Sequence, residues 1–145
     1  MRFLVGCDEF DPILDVIAAE LRALGHDVLV VGAKPGAPAP WGNLAVEIAR
    51  AVGGGAVDQG VLCCYTGTGV SMAANKVTGV RAALCVDAET AKGARQWNDA
   101  NVLALSLRLM SPTTAKEIVR AWCATTYGGT EAISLDAIRR AETNR

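Results

Sequence analysis

The sequence predicts an α/β fold: a doubly wound, Rossmann-like sheet of five parallel strands with helices on both faces and a C-terminal helix. Two observations lead to this prediction. Short segments that are apolar throughout alternate along the chain with longer segments whose apolar residues follow helical spacing. Strands without polar alternation are typical of parallel sheets that are covered on both faces. Because no repeat or linker divides the chain, we expect one domain over residues 1–145.

The first half of the chain supplies two strands and two helices. "RFLVGC" predicts the first strand, and a helix follows it with Asp11 as the N-cap and Pro12 at the first helical position. "DVLVVG" predicts the second strand, which leads into a proline-rich loop. We expect Asn43 to cap the helix "LAVEIARAV", which ends at three successive glycines.

The second half continues the same alternation. "GVLCCY" predicts the third strand, "VRAALCV" the fourth and "NVLAL" the fifth. We expect Asp87 to cap the helix after the fourth strand, and Ser111 with Pro112 to begin the helix after the fifth. A last helix is predicted over Glu131 to Ala141.

Composition narrows the classes of partner. The 14 basic and 15 acidic residues nearly balance, so the chain has no charge pattern for nucleic acid or for an anionic membrane. No apolar run is long enough to span a bilayer, and acids follow the first strand too closely for a signal peptide. Five cysteines without a CxxC pair predict reduced thiols rather than disulfides or a zinc site. We therefore expect a cytoplasmic protein whose partner is a small molecule or another protein, with no metal and no cofactor.

The segment "CYTGTGVS", residues 64–71, joins the third strand to a helix. Gly67 and Gly69 allow a tight turn that presents N–H groups, which favours an anion or a developing oxyanion. The segment lacks the Lys-Ser/Thr of a Walker motif, and Met72 stands where GxGxxG requires glycine. A tight strand-to-helix turn without function explains the segment equally well.

The two strand ends are expected to share one crevice. In doubly wound sheets, ligands bind beyond the carboxyl ends of the strands, near the switch in strand order. Asp8 and Glu9 follow the first strand, and the glycine-rich segment follows the third.

Three segments carry a resemblance to a known family. "GCDE", "VLCCYTGTGVSMAANKVTGVRAALC" and "NDANVLALSLR" resemble the ribose-5-phosphate isomerase B and galactose-6-phosphate isomerase family, and the similarity runs through most of the chain. The resemblance implies the fold predicted above and a homodimer or homotetramer with sites between subunits. The members of that family interconvert aldose and ketose phosphates by opening the sugar ring and moving a proton between C1 and C2 through a cis-enediolate.

The resemblance also assigns roles to residues. Cys64 matches the general base of the cysteine-using branch, since Val70 stands where the other branch has its glutamate. A thiolate at a strand end that faces a helix N-terminus can have a lowered pKa. The catalytic set implied is Cys64, Thr66 and Asp8, and the substrate-binding set is Glu9, Gly67, Gly69, Ser71, Trp97, Asn98 and Arg108.

The remaining candidates have a structural interpretation. Cys64 itself could be a small buried hydrophobic residue, the commonest role of a free cysteine. Cys63 points to the opposite face of its strand and is assigned to the core. His26, the single histidine, is expected in a turn on the wrong side of the sheet. The other cysteines, Cys7, Cys85 and Cys123, are also expected in the core.

The sequence departs from the family at the positions that handle the ring and the phosphate. Trp97 stands where the family has the histidine proposed to open the sugar ring, and Glu9 replaces another histidine. Thr130 and Ser134 stand where the family has two C-terminal arginines. Of the family's phosphate-binding arginines, Arg108 is the one that this sequence retains. A phosphate dianion requires donors and positive charge.

Three functions follow, in order of preference. The first is an isomerase that kept the proton transfer and acts on an unphosphorylated or otherwise atypical α-hydroxycarbonyl compound. The second is a non-catalytic member that binds a ligand or serves as a structural subunit. The third is an ordinary ribose-5-phosphate isomerase.

Overall fold

The computed structural model describes residues 1–143 and contains a five-stranded parallel sheet in the order β2-β1-β3-β5-β4. Its strands are β1 (Arg2–Cys7), β2 (Asp27–Gly32), β3 (Gln59–Cys64), β4 (Ala82–Leu84) and β5 (Val102–Ser106). Its helices are α1 (Ile13–Ala23), α2 (Trp41–Gly53), α3 (Thr68–Ala74), α4 (Ala88–Gln96), α5 (Pro112–Ala124) and α6 (Ala132–Thr143), and a 3₁₀ turn spans Leu107–Leu109. The predicted fold class is confirmed.

Helices cover the sheet on both faces and create two cores. The core under α1, α4 and α5 contains Val61 and Cys63, and the core under α2 and α3 contains Leu62 and Cys64. This alternation is the two-residue period of β3. The assignment of Cys63 to the core on the face opposite Cys64 is therefore confirmed. Cys7 and Cys85 are also buried in the first core, and Cys123 packs against it.

The reversal of strand order positions the candidate site. The chain runs from β1 through α1, on one face of the sheet, to β2, which lies beside β1. It then runs through α2, on the opposite face, to β3, which lies on the other side of β1. Cys7 and Cys63 are consequently register partners at the carboxyl ends of β1 and β3. The loops that follow these strands diverge, and a crevice is available between them.

The observed helix starts agree with the predicted starts for two helices and differ from them for two others. The Asp87 carboxylate accepts the Thr90 N–H at 2.7 Å, and the Ser111 hydroxyl accepts the Thr114 N–H at 3.1 Å, so both predicted caps are confirmed. Asp11 accepts the Ile13 N–H at 2.8 Å, but α1 begins after Pro12 rather than at it. The prediction for Asn43 is wrong. Because α2 begins immediately after a proline, Asn43 lies inside the first turn.

One edge strand, β4, differs from the prediction, whereas the other, β2, has the predicted bounds. β4 has three residues instead of the seven in "VRAALCV", and the side chain of Asn75 pairs with its outer edge. The Asn75 amide accepts the Ala82 N–H and donates to the Ala82 carbonyl, both at 2.8 Å. α6 begins at Ala132 and extends to Thr143, two residues beyond the predicted end.

The opposite edge of the sheet holds the single histidine. His26 lies between α1 and β2, and its ring packs against Phe3 with the ring centroids 5.1 Å apart. This position is at the amino ends of the strands, as expected for a structural role. Within residues 1–143, no helix combines the length and the apolar character that crossing a membrane requires.

Candidate active site

Cys64 is the last residue of β3 and lies at the mouth of the crevice. The residue is 6% exposed, and its Sγ accepts a hydrogen bond from the Gly67 N–H at 3.1 Å. Gly67 has a φ of 73°, a left-handed conformation that turns this N–H back toward the strand end. The bond therefore fixes the position of the sulfur at the start of α3.

A cleft of about 330 Å³ opens above this sulfur. Its lining residues come from the ends of β1 and β3 and from the starts of α2 and α3. They are Asp8, Trp41, Cys64, Tyr65, Thr66, Thr68, Gly69 and Met72. The fold thus brings together the three residues to which the family resemblance assigns catalytic roles.

Two hydroxyls meet at the entrance to α3. Thr66 Oγ1 and Thr68 Oγ1 are 2.7 Å apart, and both side chains are exposed to the cleft and solvent. Each hydroxyl can donate one proton and accept others. The pair can therefore donate a hydrogen bond to a nearby substrate oxygen when that oxygen becomes negatively charged.

Asp8 brings a carboxyl group to the same cleft. Its backbone carbonyl accepts the Ala39 N–H at 2.9 Å, which ties the loop after β1 to the start of α2. Burial raises the pKa of Asp8, and the negative charge of the neighbouring Glu9 raises it further. Asp8 therefore keeps its proton at a higher pH than an ordinary aspartate. A carboxyl of this kind is suited to exchange a proton with a substrate oxygen. Glu9 itself is exposed.

The other four cysteines are poor candidates for a thiolate. Burial raises the pKa of Cys7 to about 12 and those of Cys85 and Cys123 to about 11. Burial also raises the pKa of Cys63 well above its usual value. Each would have to become charged in an apolar environment in order to act as a base.

Of the predicted site residues, Ser71, Trp97 and Asn98 lie away from the cleft in a single subunit, and Glu9, Gly67 and Arg108 do not line it either. The Ser71 hydroxyl faces β4 and donates to the Ala82 carbonyl at 3.5 Å. Trp97 and Asn98 follow α4 and line a separate groove beside the N-terminus of that helix. A second subunit would have to supply this segment to any cleft that contains Cys64.

The turn that carries Trp97 and Asn98 is held by ion pairs. Asp99 has a φ of 46°, the single left-handed residue other than glycine within residues 1–143. Arg81 donates through Nε to the Asp99 carbonyl at 2.7 Å and through a terminal nitrogen to its carboxylate at 2.8 Å. These two bonds stabilise a conformation that an aspartate rarely adopts, and they fix the direction in which the turn leaves α4.

Arg108 lies in the 3₁₀ turn after β5 and does not line the cleft. Its guanidinium donates to the Tyr65 hydroxyl at 3.3 Å, and its backbone N–H donates to the Tyr65 carbonyl at 3.0 Å. The predicted phosphate ligand is thus connected to the cleft through a tyrosine.

Four residues that line the cleft, Trp41, Tyr65, Thr68 and Met72, were not among the predicted site residues. A signal for Met72 was present, since it lies one helical turn beyond Thr68 on α3. Trp41 is packed so closely that a Cβ on Gly69 would lie 3.1 Å from its ring. The cleft therefore has an apolar wall opposite its polar residues.

These features define a class of protein: a parallel α/β domain with a cysteine, a carboxyl group and paired hydroxyls at the switch point, suited to proton transfer on a small molecule. The family model described as Ribose/Galactose Isomerase matches residues 4–138, and the chain belongs to that family. It is an aldose–ketose isomerase. Within residues 1–143, no cluster of three or more histidine, cysteine, aspartate or glutamate residues is arranged to hold a metal ion.

Individual relatives agree with this membership. The chain is 40% identical to ribose-5-phosphate isomerase B of Escherichia coli (strain K12), over 99% of this chain and 98% of the relative. It is 42% identical to D-erythrulose-4-phosphate isomerase of Pectobacterium atrosepticum over 87 residues, 60% of this chain and 57% of the relative. The solved structure of Trypanosoma brucei type B ribose 5-phosphate isomerase superposes with a TM-score of 0.93 at 37% identity, covering 97% of this chain and 98% of that one.

The two glycines of the turn should differ in their tolerance of alanine. A Cβ on Gly67 would lie 2.5 Å from Leu84 Cδ1 and 2.9 Å from the Leu105 backbone carbon, in a left-handed conformation. We expect Gly67→Ala to lower the free energy of unfolding by about 2 kcal/mol or more. Gly69→Ala is the matched control, because its methyl group would meet only the exposed ring of Trp41. Its expected effect is within about 1 kcal/mol. Urea denaturation measures both, and equal losses would contradict the role given to Gly67.

Proposed function

We propose that this chain isomerises an open-chain α-hydroxycarbonyl compound by moving a proton between adjacent carbons through a cis-enediolate. The observation that carries the proposal is the position of Cys64. It is the one cysteine that lines the cleft with Asp8 and Thr66, and its sulfur accepts the Gly67 N–H. The alternative of a non-catalytic subunit is not favoured, because such a protein would have no need to keep this arrangement.

In the proposed reaction, the Cys64 thiolate removes the proton from the carbon that bears the hydroxyl group beside the carbonyl. The electron pair of that C–H bond forms the carbon–carbon double bond, and the former carbonyl oxygen becomes an oxyanion. The Thr66 and Thr68 hydroxyls donate to this oxyanion, and Asp8 carries a proton between the two oxygens. The Cys64 thiol then returns its proton to the neighbouring carbon, which regenerates the thiolate and yields the isomer.

The restriction to open-chain substrates comes from Trp97. An imidazole can transfer a proton to the ring oxygen of a sugar near pH 7, whereas an indole has no group that titrates there. The Pectobacterium relative, by its name, acts on D-erythrulose 4-phosphate, a four-carbon ketose phosphate that cannot close a furanose ring. A substrate of this kind needs no ring opening, which supports the same restriction here.

The charges lost or reversed relative to the family support an atypical substrate as well. Glu9, Thr130 and Ser134 stand at positions where the family resemblance predicts donors or cations, and Arg108 already donates to a phenol. Each charge-assisted hydrogen bond that is lost costs about 1.5–3 kcal/mol of binding. Ordinary ribose-5-phosphate isomerase activity is the competing candidate, and the 40% identity to the Escherichia coli enzyme favours it.

We further propose a cytoplasmic homodimer or homotetramer whose sites lie between subunits. The thiols have no disulfide partner within residues 1–143, as a reducing compartment requires. Trp97 and Asn98 lie outside the cleft of their own subunit, so a shared site would need a second copy.

The role of Cys64 can be tested against its neighbour. We expect Cys64→Ala to reduce turnover by at least ~10²-fold, the usual loss when a general base is removed, and to lower the free energy of unfolding by about 1–3 kcal/mol, because the buried Gly67 N–H loses its acceptor. Cys63→Ala should lower stability by a similar amount, about 1–2 kcal/mol, because it leaves a cavity in the core, but should retain turnover. Deuterium exchange into the α-carbon position measures the proton transfer directly. Retained exchange in Cys64→Ala would assign the base to another residue, Asp8 being the next candidate.

The restriction to open chains predicts an unusual rate law. Ribose 5-phosphate exists mainly as a furanose, so its conversion should reach a ceiling, set by spontaneous ring opening, as the enzyme concentration rises. Conversion of open-chain ribulose 5-phosphate should stay proportional to enzyme concentration. We expect Trp97→His to remove the ceiling, because it restores a group that can protonate the ring oxygen. Ribose 5-phosphate turnover without a ceiling in the parent protein would establish the ordinary isomerase instead.

The assembly prediction is tested by sedimentation. We expect a dimer or a tetramer at micromolar concentration, and we expect an inactive Cys64→Ala chain and an inactive chain altered in the Trp97–Asn98 turn to restore activity when they are mixed. A stable monomer with full activity would show that each subunit carries a complete site.

A further inference from the structure

Tyr65 is placed firmly beside the base by the ends of two strands. It follows Cys64 directly, and its carbonyl accepts hydrogen bonds from the Ser106 hydroxyl and the Arg108 N–H, both at 3.0 Å. Its side chain is nevertheless 55% exposed and lines the cleft. A large aromatic residue that is fixed at its backbone and exposed at its ring is available to contact a ligand.

The hydroxyl of Tyr65 is engaged by a cation. Arg108 donates to it at 3.3 Å, and no carboxylate within residues 1–143 makes a salt bridge with Arg108. Because the guanidinium is a donor only, the phenolic oxygen acts as the acceptor of this bond. The phenolic proton is thereby left to donate to a further oxygen.

The position of Tyr65 relative to Cys64 indicates which substrate oxygen it can reach. Arg108, which donates to the phenolic oxygen, lies in the 3₁₀ turn after β5 and does not line the cleft, whereas the Cys64 sulfur accepts the Gly67 N–H at the start of α3. The phenolic oxygen, at the far end of its side chain, therefore lies on the Arg108 side of the cleft, away from the carbons that exchange a proton with the Cys64 sulfur. It can reach an oxygen several bonds further along the substrate.

We propose that Tyr65 determines the length of substrate that this site accepts. Its ring closes the cleft on the side of Arg108, and its hydroxyl, oriented by Arg108, donates to the terminal oxygen group of a four-carbon ketose or aldose. A five-carbon substrate would place that group against the ring. This inference rests on the proposed isomerase function and adds the class of substrate, a tetrose derivative.

The test compares two open-chain probes of different length, D-erythrulose 4-phosphate and D-ribulose 5-phosphate. Both are ketose phosphates, so ring opening and charge affect them alike, and the ratio of their kcat/KM values reports chain length. We expect the parent protein to favour the four-carbon probe. Tyr65→Ala should shift the ratio toward the five-carbon probe by about tenfold, the effect of roughly one carbon unit in a pocket.

Tyr65→Phe separates the hydroxyl from the ring. We expect it to keep the preference for the shorter probe, because the ring is still present, and to raise KM about tenfold, with kcat nearly unchanged, through loss of one hydrogen bond. Tyr127→Phe is the matched control. It removes the other phenol of the chain, which accepts the Glu131 N–H outside the cleft, and should change neither value.

Binding to the Cys64→Ala protein distinguishes a failure of this inference from a failure of the proposed function. Calorimetry on that protein, with and without Tyr65→Ala, gives the ratio of the two dissociation constants even where turnover is absent. A shift in this ratio upon Tyr65→Ala supports the role of Tyr65 whether or not Cys64 is the base. An unchanged ratio, or no binding of either probe by the parent protein, overturns the inference.

Discussion

The hydrogen bond from the Gly67 N–H to the Cys64 sulfur is the interaction on which the candidate site depends. It closes a turn of three residues between the end of β3 and the start of α3, and it requires a left-handed residue at the end of that turn. The sulfur, which also packs in the core under α2 and α3, is therefore held at the mouth of the cleft. The direction of α3 follows from the same turn, and α3 carries Thr68, Gly69 and Met72 to the cleft.

The neighbouring strands explain why the turn is so restricted. The space beside Gly67 is filled by the Leu105 backbone of β5 and by the side chain of Leu84 from β4. The turn therefore packs directly against the backbone of β5 and the Leu84 side chain of β4. Close packing on two strands gives the sulfur a defined position, which general base catalysis requires.

The residues that we propose for proton transfer are present together, whereas those that the family resemblance assigns to ring opening and phosphate binding are altered. Cys64, Asp8 and Thr66 lie in one cleft at the switch in strand order. The parts that would open a ring or hold a phosphate are changed at Trp97 and Glu9, and Arg108 is engaged by Tyr65. Family membership establishes the class of reaction. Family membership does not determine the substrate. We propose that the substrate depends on the residues at which this chain differs from its family, and these contain more aromatic and fewer cationic groups.

The sequence by itself determined the α/β class, the order of the elements and the separation of Cys63 from Cys64, because each follows from a local period of two or 3.6 residues. It also determined the caps at Asp87 and Ser111, which depend on side chains three residues apart. It was wrong at Asn43, since the helix begins directly after Pro40, three residues before the predicted cap.

Only the tertiary structure decided which of the predicted site residues share the cleft. Ser71 turned toward β4, and Arg108 bonded to Tyr65, because β4 and β5 lie beside β3 in an order that no local pattern encodes. Trp41 reached Gly69 for the same reason, across a separation of 28 residues in the printed chain. Contacts of this range are set by how the elements pack on the sheet, and packing is a property of the whole chain.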